Sequence, residues 1–172
     1  KDYLNSKLHL FNSLLCQDAT IITDEDIPEY KKILKISKQK KFCLETVSNK
    51  RGIIKIIKHE YIGEKQRIKI KYKNSVYSII VNLIGKLQIK NLFMAILAAE
   101  GPKLKFKQII SKLNKIQPVK GRLEKVGKLK NNAICILDYA HSPDALEACL
   151  RNLREQFCKR KISIVLGCGG NR

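Results

Sequence analysis

A chain of 172 residues, 44% of them apolar, can build a core for one domain or two partial ones, and this excludes intrinsic disorder as the default. No apolar run approaches the ~20 residues of a membrane-spanning helix, and the charged, amphipathic start KDYLNSKLHLFNSLL is unlike a signal peptide, so a cytoplasmic protein with no membrane partner is expected. The net charge of +20 admits nucleic acid, but the basic residues run from Lys1 to Arg172 with no single stripe and no interleaved aromatics for base stacking.

In chain order, Leu4, Leu8, Phe11 and Leu15 predict a helix over 2–15. ATIIT (19–23) reads as a short buried strand ending in the acidic turn Asp24-Glu25-Asp26, and FCLETV (42–47) as another. RGIIKIIKH, QRIKIKYK and SVYSIIVNLI follow, the middle one alternating cleanly, with Lys73-Asn74 placed as the turn of a hairpin or meander. The period changes at Gly85. Ile89, Leu92, Phe93, Ile96 and Leu97 then mark one face of a helix to about Ala99, before Gly101-Pro102 stops it. A further helix is expected over 105–115, and QPVKGR (117–122) reads as a linker.

Beyond the linker the pattern is strand, turn, helix, strand. AICILD (133–138) is an apolar run ending in a carboxylate, Ser142 and Pro143 suit the N-cap and first turn of a helix, and KISIVLG (161–167) reads as the next strand. This predicts a βαβ unit with parallel, buried strands. The six cysteines show no CxxC and no metal-ligand spacing with the three histidines, which fits reduced thiols packed as small hydrophobes.

Asp138 and His141 fall just past a strand end, where open α/β sheets bind ligands. A carboxylate there can hold a ribose diol and an imidazole can reach phosphate; the plain alternative is an Asp turn beside a surface His. Truncating Asp138 at such a position is expected to cost little stability. Arg122, after Gly121 on what reads as a flexible joint, offers a bidentate phosphate ligand. LGCGGNR (166–172) is a Gly-rich turn and not a P-loop, because no GKS or GKT follows.

Together, QPVKGRLEKV, ILDYAHSPDALEACL and VLGCGGNR resemble, in order and spacing, the QPVxGRME, VDYAHTPDALE and FGCGGDRD of the UDP-N-acetylmuramoyl-tripeptide synthetases, the MurE type of Mur ligase. Upstream, YLNSKLHLF is similar to that family's YxxAKxxLF, ATIITDED to its AIINADDE, and LIGKLQIKNLFMAILAA to its LxGxFNVxNxLAAIAA. Gln88 stands in place of the first Asn of NxxN, Thr23 and Glu25 replace Asn and Asp, and Asn171 replaces the Asp of GCGGDR.

The resemblance implies an α/β fold: the later part of a central ATPase domain over 1–117, then the first βαβ of a Rossmann-like C-terminal domain over 118–172. It implies an ATP- and Mg2+-dependent ligase that joins a diamino acid, expected to be meso-diaminopimelate, to UDP-N-acetylmuramoyl-L-Ala-D-Glu through an acyl phosphate. It implies that Lys7 is carbamylated and helps hold magnesium, that Asn91 contacts adenine, that Arg122 reaches the phosphates, that Asp138 binds ribose, and that His141 organises the nucleotide. A monomer is expected, without nucleic acid. The start without Met and the stop after a Gly-rich turn suit an internal piece, with the P-loop before Lys1, the DNPR motif after Arg172 and no activity alone. The alternatives are a folylpolyglutamate- or cyanophycin-type ligase, or, in a different class, a basic nucleic-acid-binding module.

Overall fold

The computed structural model describes residues 2–101 and 103–167. Pro102 of the expected helix stop and 168–172 of the Gly-rich turn lie outside them. The chain packs as two compact units, one made of Lys1–Lys58, Ile68–Ser78 and Lys90–Ile110, the other of His59–Arg67, Ile79–Ile89 and Ser111–Arg172.

Five strands form one sheet in chain order: β1 (Thr20–Asp24), β2 (Cys43–Ser48), β3 (Ile54–Ile62), β4 (Lys65–Tyr72) and β5 (Ser75–Val81). β1 pairs with β2, and β2 with β3, in parallel. Two residues join β3 to β4 and two join β4 to β5, a length that only antiparallel neighbours permit. Lys73, at φ 50°, makes the second of these turns, so the hairpin read from the sequence is present.

In the first unit, α1 (Asp2–His9) widens into a π-helical turn over Leu10–Leu14, so the stripe read over 2–15 is helical but not α-helical throughout. Leu8, Ile21, Ile33 and Ile36 form a buried cluster, with Leu4, Phe11, Leu15, Ile27, Phe42 and Leu44 packed against it. Ile33 and Ile36 come from α2 (Tyr30–Lys40), which the sequence reading passed over. Its seven polar residues in eleven hid the narrow apolar stripe that marks an amphipathic helix. Tyr72 stacks on Phe106 with ring centroids 3.7 Å apart.

α3 (Lys86–Ala99) begins and ends as expected, and Ile89, Leu92, Phe93, Ile96 and Leu97 are its buried residues. The helix expected over 105–115 is instead α4 (Phe106–Ile110) and a 3-10 turn at Leu113–Lys115. Ile109, Ile110, Ser111 and Asn114 are weak helix formers, and five residues make too short a helix to stand by themselves.

In the second unit, β6 (Glu124–Lys128) and β7 (Ile134–Leu137) form an antiparallel pair. β6 escaped the sequence reading because Gly127 and three charged residues dilute its pattern. α5 (Pro143–Gln156) follows, with Ser142 as N-cap accepting a hydrogen bond from the Ala145 N–H at 3.3 Å. The strand and helix of the expected βαβ are therefore present. The second strand is not: 161–167 has no ladder partner among the described residues, and Val165 is 99% exposed. A ladder needs a neighbouring backbone, and β7 pairs with β6.

On α5 the apolar residues Leu146, Cys149, Leu150 and Leu153 are only half-buried. Its buried residues are Asn152 and Gln156. The Gln156 side-chain Oε1 accepts from the Gly85 N–H at 2.9 Å and Asn152 Oδ1 accepts from the Leu87 N–H at 3.2 Å. Both donors lie where α3 starts and have no partner within the helix. Buried Gln66 donates to the carbonyls of Leu83 at 2.7 Å and Gly85 at 3.2 Å. One basic stripe does exist: Lys65, Arg67, Lys69 and Lys71 occupy the exposed face of β4 while Gln66, Ile68, Ile70 and Tyr72 are buried. Period-two alternation sorts charges that look scattered along the sequence.

Candidate functional site

In the second unit the segment after β7 gathers four side chains that can meet a nucleotide. Asp138 is half-buried; its Oδ2 accepts from the Leu123 N–H at 2.8 Å and its Oδ1 from the Ala140 N–H at 2.9 Å. The Tyr139 N–H donates to the Gly121 carbonyl at 2.8 Å, and the Gly121 N–H to Glu124 at 2.7 Å. The Gln88 amide donates to the Arg122 carbonyl at 3.1 Å. The loop read as a flexible joint is thus hydrogen-bonded on both flanks, with the Arg122 side chain exposed.

That guanidinium lies 5.8 Å from the centroid of the Tyr139 ring. The His141 ring is 5.3 Å from the same ring, and its Nδ1 is 3.0 Å from the Tyr139 carbonyl oxygen. Tyr139 is 66% exposed. A cation, an aromatic face and an imidazole therefore line one exposed patch beside the capped start of α5. Such a patch can hold phosphate charge and a stacked ring. Tyr139 is the member that the sequence reading did not assign a role.

Asp138 carries structure as well. Each carboxylate oxygen already accepts a backbone N–H, one of them from Leu123, whose φ is 47°. These two bonds argue against the expectation that its truncation costs little stability. Each oxygen retains a second lone pair, so a ribose diol can still be accepted. Cys149 lies nearby, and burial, with the Asp138 charge, pushes its thiol pKa up, so it stays a protonated packing group.

In the first unit, Lys7 is exposed on α1 with its Nζ 4.5 Å from the centroid of the Tyr3 ring. Asn91 is exposed on α3. Beside it, Lys90 Nζ donates to Asp24 Oδ1 and to Asp26 Oδ2, both at 2.7 Å. Asp26 also accepts from Ser48 Oγ at 3.0 Å and from the Asn49 backbone and side-chain amides at 3.0 and 2.9 Å. Burial pulls the Asp26 carboxyl up, but the bonds from Lys90, Asn49 and Ser48 outweigh it and hold its pKa below the usual value. Burial likewise works against the Lys90 charge, and the two aspartates overcome it and raise its pKa. β1 and β2 run parallel and end at Asp24 and Ser48, so this cluster sits at their carboxyl ends, the edge where such sheets bind ligands. Spacing alone gives no sign that Lys90 meets Asp24, because 66 residues separate them.

Among the described residues no three of His, Cys, Asp and Glu gather as a metal site. The side chains present fit a nucleotide at the Arg122–Tyr139–His141 patch; they do not by themselves fit magnesium, for which Lys7 would be a single ligand.

The Mur ligase middle domain matches residues 1–99, and the Mur ligase glutamate ligase domain matches residues 121–172. The UDP-N-acetylmuramoyl-L-alanyl-D-glutamate–2,6-diaminopimelate ligase of Rickettsia bellii is 36% identical over 100% of this chain and 35% of its own length. That of Agrobacterium fabrum is 30% identical over 100% of this chain and 35% of its own. The chain therefore spans about a third of these relatives. A solved ligase of the same name superposes with a TM-score of 0.69 at 22% identity, over 99% of this chain and 35% of that one. Folylpolyglutamate synthetase from Lactobacillus casei superposes at 0.70 and 20% identity, over 94% and 41%. Both superpositions show the fold, and the family matches, which together cover most of the sequence, show that this chain belongs to the Mur ligases.

Proposed function

We propose that the protein containing this chain is an ATP-dependent ligase that joins a diamino acid, meso-diaminopimelate, to UDP-N-acetylmuramoyl-L-Ala-D-Glu. The observation that carries the proposal is the exposed patch of Arg122, Tyr139 and His141 beside Asp138, in a chain 36% identical to a relative of that name. Residues 1–117 then belong to the central ATP-binding domain and 118–172 begin the C-terminal one.

The chemistry the nucleotide supplies is activation of a carboxylate as an acyl phosphate, since oxide is too poor a leaving group for an amine to displace. This chain's residues bind and orient. Arg122 neutralises phosphate charge; its backbone is held by Gln88, so the guanidinium reaches out from a fixed base. His141, turned by the Tyr139 carbonyl, presents its other nitrogen to the ligand. Asp138 accepts the ribose hydroxyls, and Asn91 meets the adenine edge. Lys7, as a carbamate, would offer one pair of hard oxygens to magnesium.

The test is phosphate release by the full-length protein with ATP, the UDP-linked dipeptide and a panel of amino acids. Turnover that requires the dipeptide and diaminopimelate is expected. Turnover with lysine instead would correct the amine, and turnover only with a folate and glutamate would replace the reading with its nearest rival. The basic face of β4 is the feature that favours nucleic-acid binding. Tight DNA binding, weakening steeply with salt, in a protein without ligase turnover would establish that rival.

A further inference from the structure

We infer that Lys90 is a positioning residue for nucleotide recognition, through the ion-paired bridge it makes to Asp24 and Asp26. The inference rests on the proposal that Asn91 meets adenine.

The geometry is that of a clamp. Lys90 Nζ lies 2.7 Å from a carboxylate oxygen of each aspartate, and the side chains of Lys90 and Asp24 are 11% and 13% exposed. Asp26 in turn is bonded to Ser48 Oγ and to both amides of Asn49, and its own N–H donates to Asp24 Oδ1 at 2.9 Å. The end of β1, the end of β2 and the loop after it are thereby joined to α3 at one ammonium.

Beyond the polar contacts of its first turn, α3 is seated by Leu92, Phe93, Ile96 and Leu97, all buried. Apolar burial is non-directional and tolerates a small rotation or slide of a helix. An ammonium held between two carboxylates does not, because its hydrogen bonds are short and directional. Asn91 follows Lys90 at the ~100° step of an α-helix, so the clamp that fixes the angle of Lys90 fixes the direction of Asn91. A short amide reading a base edge loses its hydrogen bonds with a shift of about an ångström, which is why such placement matters. The pair is not an ordinary surface salt bridge, whose exposure makes it nearly neutral.

The experiment uses the full-length enzyme with Lys90→Met, Lys90→Arg and Asn91→Ala, measuring kcat and KM with ATP and with ITP, which lacks the exocyclic amine of adenine. Asn91→Ala is expected to shrink the preference for ATP. Lys90→Met should raise the KM for ATP by roughly three- to tenfold, leave kcat within about twofold, and shrink the same preference. Lys90→Arg should recover part of it.

If Asn91→Ala loses the preference and Lys90→Met keeps it, the positioning role is overturned while the adenine reading stands. If Asn91→Ala keeps the preference, the adenine reading fails and this inference with it. A fall in melting temperature and kcat together, with preference intact, also overturns the role. Should Lys90→Met not fold, Asp24→Asn keeps the Asp26 arm and must show the same loss of preference at smaller amplitude; an unchanged preference there overturns the inference too.

Discussion

At the scale of single residues, positions that spacing made unremarkable carry large constraints. Gly85 has φ +84°, and a Cβ there would stand 2.5 Å from Leu123 Cδ1 and 3.1 Å from Asn152 Oδ1. Gly85→Ala therefore combines backbone strain with overpacking and is expected to destabilise by about 2–4 kcal/mol, read by urea unfolding. Asp138→Ala removes the acceptor of two backbone donors and should cost about 1–3 kcal/mol besides weakening ATP use. A variant as stable as the parent would leave ribose binding as its only role. The pH dependence separates two groups. His59 has its pKa lowered, chiefly by burial, so the unfolded chain takes up its proton more readily and stability falls as pH drops below about 6.5. Asp26 has its pKa lowered as well; its contribution is complete above about pH 4 and is lost as pH falls through the lower folded value. Unfolding midpoints from pH 8 to 3 should show both declines, and Asp26→Asn should weaken the second, to which Glu64, its pKa lowered by the bond from Lys125, also contributes.

At the scale of elements, α3 depends on α5 through polar atoms. Asn152 and Gln156 take the N–H groups of Leu87 and Gly85, and Gln156 donates to the Gly63 carbonyl at 3.1 Å. Gln156→Leu would leave buried backbone groups without partners and should cost about 1–3 kcal/mol despite the gain in apolarity; equal or higher stability would show that water can replace the amide. Sequence periodicity revealed β1, β2, α3 and the hairpin at Lys73-Asn74 because these obey one dominant period. It could not reveal α2 or β6, whose faces are narrow, nor the polar packing of α5, because a buried amide looks in sequence like an exposed one. The site divides similarly. Asp138 and His141 were legible from their place after an apolar run, but the cation–aromatic pairing of Arg122 with Tyr139 and the reach of Lys90 to Asp24 arise only when distant segments fold together.

At the scale of the whole molecule, the 172 residues match about a third of their curated relatives. Purified as this chain alone, they are expected to show no ligase turnover; product formation at the rate of a complete enzyme would overturn this expectation. The stretch 161–167 has a consequence for handling in solution. Ile164, Val165 and Leu166 are 49%, 99% and 62% exposed, an apolar surface on which a second copy can pack. The net charge of +20 holds copies of the isolated chain apart, but the repulsion is screened beyond ~10 Å at 0.1 M salt. Salt should therefore drive the isolated chain to self-associate, the reverse of its effect on any polyanion complex. Light scattering between 20 and 500 mM NaCl measures this, and replacing Val165 by Lys should suppress the rise.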